Sequence, residues 1–125
     1  MTSPALDIDS SVKNGKIQFQ RIDVSVEPSK NGFTYIKSLA QKAQSYYQEA
    51  STKIQATTKI YYRAKSTVAS LSNIKLGFDD MINACNINSF NALVSANNNI
   101  KSSLSEFDSS YATIVAFIAS REGGN

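Results

Sequence analysis

The 125-residue chain has no histidine, no tryptophan and a single cysteine, Cys85. Without imidazole there is no raw material for histidine-based acid–base work or histidine metal ligation. One cysteine cannot close an internal disulfide, which excludes a disulfide-stapled fold. Proline and glycine are scarce, and both prolines, Pro4 and Pro28, precede the middle of the chain. From Ser29 onward nothing in the sequence forbids helix. No apolar run approaches the ~18 residues that a spanning helix needs, so a stable membrane span is not expected. The opening MTSPALDIDSSVKNGK lacks a basic segment followed by an apolar one. A cleavable leader is therefore not expected, and the expected settings are the cytoplasm, leaderless export or a virion.

The motifs of catalysis are also missing. There is no glycine-rich phosphate loop, no HExxH, no paired-cysteine spacing and no GxSxG. Asp79 and Asp80 are adjacent and on a helix diverge by ~100°, so they do not make a facing carboxylate pair. Cys85 lies among Met81, Ile82 and Ile87 and reads as a small buried hydrophobe. A non-enzymatic protein without cofactor or metal is expected.

What is present is periodicity. Apolar and small residues recur at Ile36, Ala40, Ala43, Tyr47, Ala50, Ile54, Thr57, Tyr61, Ala64, Val68 and Leu71, in steps of four and three. That is a heptad seam, with large residues at Tyr47, Ile54, Tyr61 and Val68 alternating with small ones. Read as one helix from about Asn31 to Leu76, it would be ~70 Å long. The rhythm returns at Phe90, Leu93, Asn97, Ile100, Leu104, Phe107, Tyr111, Ile114 and Ile118. The two seams predict a mainly α fold: a long, coiled-coil-like antiparallel hairpin over residues 29–125. Gly77 is expected to stop the first helix and Asp79 to cap a short connector helix. Residues 1–28 form an N-terminal arm in which the alternation of Ile17 and Phe19, then Ile22, Val24 and Val26, predicts a short strand.

Charge is unevenly divided although the total is only +3. Lys30 to Lys75 carries eight basic residues against one acid, whereas Asp79 to Glu122 carries five acids against two bases. The two halves should attract, and Lys42, Lys59 and Arg63 remain with Tyr62 as a cationic and aromatic face. Such a face either stacks bases and holds phosphates or is an ordinary solvated surface.

Asn97 interrupts the second seam and either fixes register or marks an incomplete partner surface. The stretch YATIVAFIA, Tyr111 to Ala119, is apolar all round. Ile114 and Ile118 belong to the seam; Val115 and Phe117 point elsewhere and need a further surface. Tyr111, Val115, Phe117, Ile17 and Phe19 are therefore the candidate assembly interface, filled by another copy or a helical partner, with the N-terminal segment as intramolecular competitor. In general plan the chain resembles small exported or assembling helical subunits, such as secretion-needle, Trp-Xaa-Gly hairpin, filament and virion coat proteins. The Trp-Xaa-Gly turn itself is absent, as is the needle proteins' proline-flanked turn. The expected function is helix-mediated self-assembly or partner pairing, with nucleic-acid association and membrane activity as alternatives.

Overall fold

The computed structural model describes residues 4–56 and 64–124, with side chains for 6–56 and 64–120. It is mainly α, as the periodicity predicts, and no strand occurs among the described residues. Among the described residues four helices follow one another: α1 (Pro4–Gln20), α2 (Lys30–Ala56), α3 (Lys65–Asn86) and α4 (Phe90–Gly124).

The N-terminal strand is not formed, and α1 takes its place. Pro4 stands at its first position, where a missing N–H costs nothing. Residues two apart share a face in a strand but lie on opposite sides of a helix. Accordingly Ile17 is 51% exposed, whereas Phe19 meets the Phe78 ring edge-on at 5.7 Å. The inward row is Ile8, Val12, Gly15 and Phe19, in steps of four, three and four. Two short backbone hydrogen bonds, Arg21 N–H to Gln18 and Ile22 N–H to Phe19, tighten the exit of the helix.

The continuous helix from Asn31 to Leu76 is not formed either. Helix α2 ends at Ala56, and α3 runs back along it: Gln44 donates to the Lys75 carbonyl at 2.9 Å and to Asp79 at 2.7 Å. Folding back lets the two stretches bury their apolar stripes on each other, which a lone ~70 Å rod cannot do. Gly77 lies inside α3, with no positive φ, and Asp79 is an exposed residue of the same helix. Gly77 admits α4, since a Cβ there would stand 2.6 Å from Ile100 Cγ1.

The remaining boundaries follow local chemistry. Ser29 caps α2 by accepting the Gly32 N–H on Oγ at 3.1 Å, and Ser89 caps α4 through the Ala92 N–H at 3.2 Å. Between α3 and α4, Asn88 adopts φ 53°. There the Ser89 N–H reaches the Ala84 carbonyl and the Asn88 N–H reaches Cys85, a Schellman closure.

Each helix is antiparallel to the next. Lys53 meets Asp7 across α1 and α2, and Thr67 meets Ser110 across α3 and α4. One helix after another contributes a ring to the centre: Phe19, Tyr47, Phe78, then Phe107 and Tyr111. Tyr47 stacks near Phe78 at 6.0 Å and meets Phe107 edge-on at 6.4 Å. Aromatic pairs at such separations add ~0.5–1.5 kcal/mol each beyond the area they bury.

Candidate functional site

The fold distributes the residues singled out in the sequence very differently. Tyr47, Ile54, Phe107, Ile114 and Ile118 are buried; Val68 and Leu104 are half-buried. Tyr61, Lys59, Tyr62 and Arg63 lie outside the described residues. Of the candidate assembly set, Tyr111 is buried and donates its hydroxyl to Asp9 at 3.2 Å, so it serves the α1–α4 contact. Phe19, Val115 and Phe117 are half-buried and packed against the core of the same chain. Only Ile17 of that set is exposed.

Ile17 belongs to a surface that α1 and α2 build together. Just past the end of α1, Arg21 donates to the Tyr35 hydroxyl of α2 at 2.9 Å and to Gln18 at 3.2 Å. Tyr35 is itself 51% exposed. Adjoining them, Gln18, Ser38, Lys42, Ser45, Tyr46 and Glu49 line a groove of about 620 Å³ between the two helices. Leu6 shares this outer face of α1, eleven residues or about three turns before Ile17, and is 65% exposed. The surface thus combines aliphatic, aromatic and guanidinium groups. Sequence reading missed Arg21 and Tyr35, because only the packing of α1 on α2 brings them together.

Three interhelix ties hold α1 in place. The Lys53 ammonium contacts Asp7 at 3.0 Å, Ser11 at 2.9 Å and Glu49 at 3.2 Å. Burial lowers its pKa, but the hydrogen bonds to Asp7 and Glu49 outweigh that and the net shift is upward. Lys16 pairs with Asp108 of α4 at 2.9 Å. The third tie is the Tyr111–Asp9 hydrogen bond.

On the opposite side, the exit of α1 and the loop after it stand off α4. Phe19, Ile22 and Val24 face Asn97 and Lys101 across a cleft of about 420 Å³. Asn97 is 3% exposed. At the loop, Asp23 accepts from the Ser25 hydroxyl at 2.6 Å and from its N–H at 2.9 Å, which lowers the Asp23 pKa.

The remaining reactive groups are packed away. Cys85 is a free, buried thiol whose pKa is raised by burial, with Lys37 opposing. The Tyr47 hydroxyl is buried without a hydrogen-bond partner. No group of three metal-ligating side chains occurs among the described residues, and no described helix is long and apolar enough to cross a membrane. Comparison with protein-family models, curated proteins and solved structures gives no match.

Proposed function

We propose that the protein is a non-enzymatic structural or interaction protein that pairs by helix packing with another copy of itself or with a helical partner. The outer α1–α2 face is the contact surface in this reading. The observation that supports it is the exposed cluster of Ile17, Arg21 and Tyr35: arginine and tyrosine beside an aliphatic group are the residue types on which binding energy concentrates. The adjoining groove along Gln18, Ser38 and Lys42 gives a second helix room to lie. Light scattering at two concentrations tests self-pairing. Ile17→Lys with Tyr35→Ala should convert a larger species to a smaller one of equal helical content. A monomer at high micromolar concentration removes self-pairing and leaves the partner form.

The same face favours a second reading, association with nucleic acid, because Arg21, Lys42 and Tyr46 stand along one surface. Glu49 in the groove opposes it by repelling phosphate. Binding of a generic oligonucleotide should then be weak and fall steeply with salt. Absence of association at low salt removes the reading.

A further inference from the structure

The cleft between the α1 exit and α4 holds an unusual polar group. Asn97 is 3% exposed as a whole residue and lines the cleft, and its carboxamide makes no hydrogen bond to any described residue. The carboxamide keeps some contact with solvent at the cleft, so a ligand that displaces that water must replace its hydrogen bonds. One turn further along α4, Lys101 is exposed at the cleft and forms no ion pair with any described residue. The opposite wall is largely apolar, with Phe19, Ile22 and Val24.

We propose that this cleft binds an acylated amino acid: a carboxylate, an amide one bond from the carbon that bears it, and an apolar side chain. The spacing sets this class. Side chains four apart on a helix stand about 5–6 Å from each other at Cβ. A ligand that engages both Asn97 and Lys101 must therefore carry its amide and its anion within a few ångströms. The Asn97 carboxamide both donates and accepts, so it can pair with the N–H and C=O of a ligand amide. Lys101 offers a charge-assisted hydrogen bond to the carboxylate. The side chain then lies on Phe19, Ile22 and Val24. Asp23, on the loop after α1, also lines the cleft, and its negative charge disfavours a carboxylate on that side. At about 420 Å³ the cleft is within the ~300–1,000 Å³ range of small-ligand sites. The same chemistry is found in a free N-acyl amino acid and in the C-terminal residue of a polypeptide. The proposal goes beyond the interaction reading and stands whether or not the chain pairs with itself.

The test is an NMR titration of the full chain with N-acetyl-leucine, N-acetyl-leucinamide and a tetrapeptide ending in a free leucine carboxylate. N-acetyl-leucine or the tetrapeptide should shift the resonances of Val24, Asn97 and Lys101. Replacing the carboxylate by the amide, or Lys101 by glutamine, should weaken binding about tenfold, as should Asn97→Leu. Lys101→Gln alters an exposed side chain, so it keeps the test valid if Asn97→Leu perturbs folding. Lys65→Gln, at the exposed start of α3 and outside the cleft lining, should leave this binding unchanged. Tighter binding of the tetrapeptide identifies a polypeptide end as the source, and tighter binding of N-acetyl-leucine a free metabolite-sized ligand. No shift at Asn97 and Lys101 at saturating concentrations, or affinity unchanged in Lys101→Gln, overturns the proposal and leaves Asn97 hydrated by solvent alone.

Discussion

A side chain at Gly15 would place its Cβ 2.8 Å from Cε2 and 3.0 Å from Cζ of Tyr47, so the ring occupies the space any larger residue would need. Alanine is the better helix former by ~0.5–1 kcal/mol. Overpacking a well-filled core costs ~1–3 kcal/mol, and Tyr47, fully buried, has nowhere to retreat. Gly15→Ala should therefore lower stability, and Gly77→Ala should do so at least as much, because its obstacle is Ile100 Cγ1 close to the backbone. Chemical denaturation decides, and a gain in either variant would show that the helices can separate at no cost.

Tyr47 supplies its ring to the core and its hydroxyl to nothing. Leaving a buried polar group unsatisfied costs ~1–3 kcal/mol. Tyr47→Phe should thus be neutral or stabilising, whereas Tyr47→Ala should cost ~3–5 kcal/mol. A clear loss on Tyr47→Phe would mean that the hydroxyl has a partner in solution.

Alkaline pH should unfold the protein through two tyrosines. Burial raises the pKa of both Tyr47 and Tyr111, with Asp108 adding to the first and Asp9 to the second. The folded state therefore holds these protons more tightly than the unfolded chain. Their contribution is fully present below the unfolded value near 10 and is lost as pH rises above it. Phenolate absorbance should rise together with loss of helix, and Tyr47→Phe should move the transition to higher pH. Titration of all tyrosines before any helix is lost would contradict this.

Asn88 sits at φ 53°, where glycine is free of the Cβ penalty. Asn88→Gly should stabilise by up to ~1 kcal/mol and Asn88→Val should destabilise, since a β-branched residue is strained there. Thermal melts of the pair check the turn, and equal melting temperatures would argue against the left-handed conformation.

Val115→Ser with Phe117→Ser should cost about 2 kcal/mol or more, somewhat less than two fully buried large side chains at ~1.5–3 kcal/mol each. The change should appear in the unfolding midpoint. A smaller species of unchanged stability would instead assign these two residues to a contact between chains.

Composition and periodicity by themselves determined that the described residues after Ser29 are mainly helical and that Tyr47, Ile54, Phe107, Ile114 and Ile118 lie on inward stripes, since a 3.6-residue repeat admits few other readings. Ser29 and Ser89 start α2 and α4 by local chemistry alone, each accepting an N–H three residues on. The fold of α2 back onto α3 was not legible, because the heptad phase of Ala50 and Ile54 runs on through Ala64 and Leu71 as it would in one rod, and both arrangements bury the same stripe. Helix α1 was hidden by the pair Ile17 and Phe19, whose two-residue spacing mimics a strand until one side chain is seen in solvent and the other on Phe78. The outer face of Ile17, Arg21 and Tyr35, and the cleft beside Asn97, join residues far apart in the chain. Only the packing of the helices decided them, because no local pattern specifies which faces will meet.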